Sequence, residues 1–311
     1  MTYQIKQITD DSYNDIKFLF LKIGYKYSLN YIRKKYNTSV FGLKNIGFIA
    51  KDSDIPAAYY GVFPMCLNYD FTDYLVAQSG DTMTSPDYQK KGLFTKLAKK
   101  TYSISKELGI KLIFGFPNNN SYPGFKHKLD WEFAGHMQRF AIMNNVSFSC
   151  KIIRRLSVFS SLCKKIAKRK IAKYQILPEN IDLKFFNFQN VKGQIKKDLR
   201  FFNFKLAQNN VYLIQIDNFY ILLKVDVYLY IGELGKIDKT QTSKLIRVLK
   251  SLSQELGCKA IFFTISKNHW LFELLKDEIK PEKSLPIGFY RFDKGIDINQ
   301  IQFSNADFDT F

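Results

Sequence analysis

Apolar positions in the first half of the chain repeat with two periods. Alternating or continuously apolar runs at 3–8, 46–51, 57–67, 74–84, 111–116 and 131–144 predict strands. Helical spacing predicts helices over 12–22, 30–35 and 93–108, the last stopped by Gly109, with a short helix leading to Leu129. Asp52-Ser53-Asp54 turns one strand into the next, and Pro117 ends another. The order is strand, two helices, three strands, loop, helix, strand, helix, strand. It predicts an α/β unit on a mixed sheet, ending near residue 148.

Residues 80–95 are the stretch around which this unit is organised. A strand runs through Thr84, turns at Ser85-Pro86-Asp87, and gives way to a helix opening at Gly92. Leu93, Phe94 and Leu97 fall on one helix face and lysines on the other. A polar, basic loop entering a helix presents free N–H groups and the positive end of the helix dipole, which suits a phosphate or pyrophosphate. Gly92 allows close approach to the backbone, and Lys90 and Lys91 add charge. The bland alternative is a solvated basic turn. Neither Gly-Lys-Ser/Thr nor G-x-G-x-x-G is present, so the loop is not of the Walker or Rossmann kind.

The chain also repeats itself. Ser105-Lys-Glu-Leu-Gly-Ile-Lys-Leu-Ile-Phe114 returns as Ser253-Gln-Glu-Leu-Gly-Cys-Lys-Ala-Ile-Phe262, identical at Ser, Glu, Leu, Gly, Lys, Ile and Phe. Strand, helix, strand, helix and strand follow at 220–229, 242–256, 260–265, 269–275 and 287–292. At the same offset Gly92 meets Thr240, and Lys90 and Lys91 meet Asp238 and Lys239. The second half is therefore expected to be a reduced copy without the phosphate loop, with His269 a surface or core residue. Three regions are expected: 1–148, a basic helical linker at 149–180, and 181–311.

Composition narrows the partners. A net charge of +19 over 311 residues draws polyanions, whether nucleotide-type ligands, nucleic acid or an anionic membrane. No RNP, zinc-finger or helix-turn-helix pattern accompanies it, so no nucleic-acid partner is expected. The basic run over 152–174 reads as a solvated linker helix or, more sharply, as a weak membrane-surface contact. Four scattered cysteines and three separated histidines argue against a metal site or a disulfide framework. No transmembrane run or leader pattern is read, and the expected location is cytoplasmic.

Gln89-x-x-Gly92-x-Phe94, preceded by Thr84-Ser-Pro86, resembles the acyl-CoA pyrophosphate loop of the GNAT superfamily of N-acyltransferases, with Phe94 where the family usually carries Gly or Ala. Phe116-Pro-Asn118-x-x-Ser121 and Lys128-Leu-Asp-Trp131 extend the resemblance, with Asp130 in place of the usual glycine. It covers the first 148 residues. It implies two GNAT-like domains, the second reduced. The pyrophosphate would be held by Gln89, Lys90, Lys91, Gly92, Leu93, Phe94 and Thr95. The thioester oxygen would be polarised by strand N–H groups at Met83 and Thr84. Pantetheine would be held by Asn118, Ser121 and Phe125. The family's usual acid is a tyrosine in the following helix; Phe125 or Lys126 stands there instead, and Tyr122 is the substitute. Asp81 and His136 are candidate bases, each readable also as a capping carboxylate or an ordinary strand residue.

Tandem architecture further resembles nucleotide-sugar N-acyltransferases. The implied reaction moves an acetyl or 3-hydroxybutyryl group from CoA to the amine of a dTDP- or UDP-linked amino-deoxy sugar for surface polysaccharide, with no metal. Transfer to an aminoglycoside, peptide or tRNA-dependent peptidoglycan acceptor, or non-catalytic CoA or nucleotide binding, are the competing readings.

Overall fold

The computed structural model describes residues 3–144, 166–188 and 190–311. Of the basic run 152–174 expected as a linker helix, residues 152–165 lie outside the described residues; 166–172 are helical. In the first half, β1 (Gln4–Gln7), β2 (Ile46–Asp52), β3 (Ile55–Tyr69) and β4 (Thr72–Thr84) form an antiparallel meander. Helices α1 (Tyr13–Lys22) and α2 (Leu29–Tyr36) link β1 to β2. Helix α3 (Leu93–Glu107) carries the chain from β4 to β5 (Leu112–Gly115), which lies parallel to β4. Helix α4 (Tyr122–Lys128) leads to β6 (Glu132–Met143).

The second half repeats the scheme. After β7 (Gly193–Ile195), β8 (Val211–Ile216), β9 (Phe219–Val225) and β10 (Leu229–Leu234) form a meander. One strand was expected over 220–229; Asp226–Tyr228 instead turns the chain back, with Asp226 N–H donating to Tyr228 O at 2.9 Å. The helix Thr242–Glu255, parallel β11 (Ala260–Ser266), the helix Trp270–Lys276 and β12 (Glu282–Arg291) follow, and β13 (Ile301–Gln302) pairs with β7.

Each half then lends a strand to the other. The order along the sheet is β1-β2-β3-β4-β5-β12-β6-β11-β10-β9-β8. β12 pairs with β5 from Gly288↔Gly115 to Arg291↔Leu112, while β6 pairs with β11 from Ala260↔Met143 to Ser266↔Met137. A cut near residue 148 would thus separate each of these strands from its neighbours. The core follows the same plan. Leu97, Ile113 and Trp131 pack under α3, and Ile16, Ile32 and Met83 pack under α1 and α2. A third cluster draws Met65 and Phe114 from the first half together with Leu222, Phe289 and Phe303 from the second.

Because β12 is shared, the halves should unfold together. The two tryptophans, Trp131 and Trp270, lie one in each half. In single-tryptophan variants the two fluorescence transitions in urea should coincide. Phe289→Ala, which opens a cavity on β12, should lower both midpoints together, costing about 3–5 kcal/mol. Separate midpoints would show two independent units.

Candidate active site

The loop between β4 and α3 is held from below. Ser85 is buried, and its N–H donates to Ala57 O at 2.9 Å. Tyr88 donates to Asp52 Oδ2 at 3.2 Å, and the Lys91 ammonium lies 4.8 Å from the Tyr88 ring centre. Lys90 and Gly92 both have positive φ, +61° and +75°. A Cβ at Gly92 would meet nothing within 4 Å, so the glycine answers to backbone conformation rather than to crowding. Gly92 is the N-cap of α3 and no side chain caps the helix there. The first N–H groups of α3, from Leu93 to Thr95, therefore point out of the fold without an intrahelical partner.

Phe94 does not crowd this opening. Its ring turns inward against Tyr60 and Phe125, with centroids 5.6 and 5.2 Å away. Gly124 makes room for it: a Cβ there would sit 2.9 Å from Phe94 Cε1. The side chains of Leu93 and Phe125 are likewise core, so Phe125, expected to touch pantetheine, is closed off in an aromatic cluster with Trp131. At Leu93 and Phe94 only the backbone is offered.

β4 and β5 pair only at Ala77↔Ile113 and Gln78↔Phe114, then part. β3 stays paired with β4 as far as Ala58↔Thr84, so the opening is one-sided. A bulge lies at the parting point, because Gly80 and Met83 face Gly61 and Tyr59. Asp81 sits in it with φ +52°. In a regular strand Ser79 and Asp81 would share a face. Here Ser79 Oγ meets Tyr60 OH at 2.8 Å on the α3 side, while the bulge turns Asp81 towards α2.

There Asp81 joins a buried charge cluster. Lys35 Nζ donates to Asp81 Oδ1 at 2.7 Å and to Asp309 Oδ2 at 3.0 Å. Tyr36 OH donates to Asp81 Oδ2 at 3.1 Å. Burial pushes the Asp81 carboxyl up to about 6, against the pull of Lys35 and with help from Asp309. Burial works against the Lys35 charge, but Asp309 and Asp81 outweigh it and hold the ammonium above its ordinary range. Lys35, Tyr36 and Asp309 carried no motif, and Asp309 is 228 positions from Asp81 in the sequence (309 minus 81). The only available signal was a terminal segment in which Phe303, Phe308 and Phe311 alternate with Asp307 and Asp309.

That segment is strapped across both halves. Phe308 stacks on Phe116, just beyond β5, at 4.0 Å and 13°. Lys205 Nζ donates to Phe308 O at 2.7 Å, Lys224 reaches Thr310 O, and Lys197 reaches Asp307. The Phe311 ring fills the space at Gly232, where a Cβ would fall 2.1 Å from its Cζ. In the second half β10 and β11 also part, after Ile231↔Phe263. That gap is closed by the strap: Ser266 and Phe303 exchange two hydrogen bonds of 2.9 Å. The 3-10 turn at 239–241 that runs into the matching helix is capped as well, since the Asp238 carboxylate accepts from Gln241 N–H at 3.1 Å in a capping box.

Other expected residues are placed as follows. Asn118 Oδ1 accepts from Ser121 N–H and Oγ at 3.1 and 3.2 Å, so the pair shapes the turn after β5. Tyr122 opens α4 directly after that turn, its ring 4.7 Å from Phe133. His136 pairs with Pro286, and β5 and β12 lie between it and β4. Three strand spacings, roughly 14 Å, keep His136 from sharing a site with Asp81. Among the described residues no group of three or more potential metal ligands occurs, and no helix is long and apolar enough to cross a membrane.

Residues 4–134 match the family model described as an acetyltransferase (GNAT) domain. No curated protein matches the chain. Among solved structures, a GCN5-related N-acetyltransferase from Kribbella flavida superposes with TM-score 0.61 at 13% identity, over 94% of this chain and 71% of that one. Saccharomyces cerevisiae N-myristoyltransferase, with bound myristoyl-CoA, gives 0.61 at 12%, over 96% and 83%. A GCN5-related N-acetyltransferase from Anabaena variabilis gives 0.54 at 11%, over 93% and 72%. At such identities the likeness is one of fold, and it extends through both halves.

His269 gives a test of the strap's anchorage. Its Nδ1 accepts from Leu271 N–H at 3.2 Å, capping the helix, and its ring is buried beside Lys197. Burial, with Lys197, pulls the imidazole down to about 3, so its 3.9 Å contact with Glu233 is not an ion pair. The unfolded chain takes up a proton near pH 6.5 that the fold refuses. His269 therefore contributes stability above pH 6.5 that is lost as pH falls towards 3. His269→Asn, which retains a capping side chain, should flatten the stability profile between these values. An unchanged pH slope in urea titrations would contradict a buried neutral imidazole.

Proposed function

We propose, from the match of residues 4–134 to an acetyltransferase (GNAT) domain, that the chain moves a short acyl group from CoA to the amine of a nucleotide-linked amino sugar. The single observation that carries acyl-CoA binding is the contrast between the halves. In the first, an uncapped helix start lies beside a one-sided strand opening. In the second, a 3-10 turn at 239–241, capped by Asp238, runs directly into the helix, and the strap closes the gap. Only the first half offers N–H groups and space to a pyrophosphate and its pantetheine arm.

The pyrophosphate rests on the N–H groups of residues 92–95, with Gln89, Lys90 and Lys91 around it. Pantetheine runs along the opening between β4 and the turn of Asn118 and Ser121. A backbone N–H at the Met83–Thr84 end of β4, on the edge away from β3, stabilises the oxyanion as the amine attacks the carbonyl carbon. Holding the amine against the thioester supplies much of the rate. The amine's proton goes to the carboxylates gathered around Lys35, Asp81 among them. The C–S bond breaks, and Tyr122 protonates the departing sulfur.

Charge and residue type support the acceptor. The chain carries a +19 excess, which favours a partner bearing a diphosphate of its own. Acetyl-CoA and 3-hydroxybutyryl-CoA are the donors to try, with dTDP- and UDP-linked amino-deoxyhexoses as acceptors and the cytoplasm as the compartment where both are made.

Gly92→Glu places a carboxylate where the pyrophosphate sits and strains a backbone at φ +75°. The strain costs about 1–2 kcal/mol, so the variant should stay folded. Acetyl-CoA binding, measured by calorimetry, should be lost. Retained affinity in a folded Gly92→Glu protein would refute the phosphate assignment.

A further inference from the structure

Gln78 sits at the last paired position of β4 before the opening and is 1% exposed. Its Nε2 donates to Asp309 Oδ1 at 3.3 Å, which fixes the amide's orientation. Its Oε1 has no hydrogen-bond partner. A buried acceptor left without a donor is destabilising. Its neighbour is the Asp309 carboxylate, which lies over Gly80: a Cβ there would fall 2.7 Å from both Asp309 Cγ and Oδ2. Only a glycine lets the carboxylate come so close to the strand where β4 and β5 part.

Asp81 and Asp309 share Lys35, but they face different ways. Both Asp81 oxygens are occupied, by Lys35 and Tyr36, on the α2 side of the bulge. Asp309 is bonded by Lys35 on one oxygen and only weakly by Gln78 on the other. The next residue back in the strap, Phe308, stacks on Phe116 at the other lip of the opening. Asp309 is thus the carboxylate presented to the gap, and Asp81 stands behind it.

We infer that Gln78 Oε1 and the Asp309 carboxylate form the subsite that receives the acceptor's amine, and that Asp309, not Asp81, takes its proton. This rests on the acyl-transfer reading above. Both groups are acceptors, which suits a nitrogen that brings only N–H donors. The nitrogen lone pair attacks the thioester carbon, the C–N bond forms as C–S breaks, and one proton passes from nitrogen to an Asp309 oxygen. The pair of electrons from C–S leaves on sulfur. Lys35 holds Asp309 in place, and Asp81 keeps Lys35 charged. The first half therefore works only with a residue delivered by the second.

The test uses the full chain with acetyl-CoA and a dTDP-linked amino-dideoxyhexose, following thiol release, together with acceptor-free hydrolysis of acetyl-CoA, in which water replaces the amine. Asp309→Ala should lower kcat by about 10²–10⁴-fold in both reactions, with acetyl-CoA affinity unchanged. Added formate should restore part of the rate in Asp309→Ala, which a merely structural role would not allow. Gln78→Met should raise KM for the amine roughly tenfold and leave the hydrolysis KM for acetyl-CoA alone. Asp309→Asn serves as the milder variant should the alanine protein unfold. Wild-type rates in either Asp309 variant, or a loss that formate does not relieve while Asp81→Ala is the variant it rescues, would overturn the inference and leave acyl transfer standing. Failure of the wild-type protein to bind acetyl-CoA would overturn both.

Discussion

The exchange of β6 and β12 is the constraint on which the rest of this molecule depends. A strand inserted between β5 and β6 cannot be withdrawn without breaking two ladders, so each half is completed by the other. β12 brings the chain back across the middle of the sheet. The residues after it must then run over the face where β4 and β5 part. The strap of 303–311 is the result, and Asp309 reaches Gly80 because of it.

Charge is the strap's second requirement. Lys35, Lys197, Lys205 and Lys224 each tie down one of its residues, and Lys35, Lys197 and Lys205 are almost wholly buried. Buried ion pairs add little net stability, yet removing one partner typically costs about 3–5 kcal/mol. Such contacts specify a path more than they strengthen it. Lys205 shows the tension: burial pulls its ammonium down to about 7, against Asp307 and Asp309. Its one contact to the strap is a carbonyl, Phe308 O.

The two halves also differ at the matching turn between strand and helix. Both carry a parting of two parallel strands and a helix that starts beside it. In the first, Gly92 holds a left-handed backbone and leaves the helix uncapped. In the second, Asp238 takes the Gln241 N–H of the turn that runs into the helix, and Phe311 fills the space at Gly232.

Much of this was legible in the residues alone. Periodicity gave the elements of the first half to within a few positions, because each strand and helix there buries one face. The repeat of Ser105–Phe114 as Ser253–Phe262 disclosed the duplication, since helix, turn and buried strand are encoded locally. The Gln89-x-x-Gly92 loop was readable because a left-handed N-cap demands glycine. Tertiary structure decided what long-range pairing decides. The partners of β6 and β12 lie in the other half, and no local pattern distinguishes a strand that stays from one that crosses. Asp81 was visible, but the bulge that turns it, the Lys35 that holds it and the Asp309 that shares that lysine were not. Phe125 and His136 were misplaced for the same reason: an aromatic ring and an imidazole carry no mark in sequence of the face or the strand neighbour they will meet.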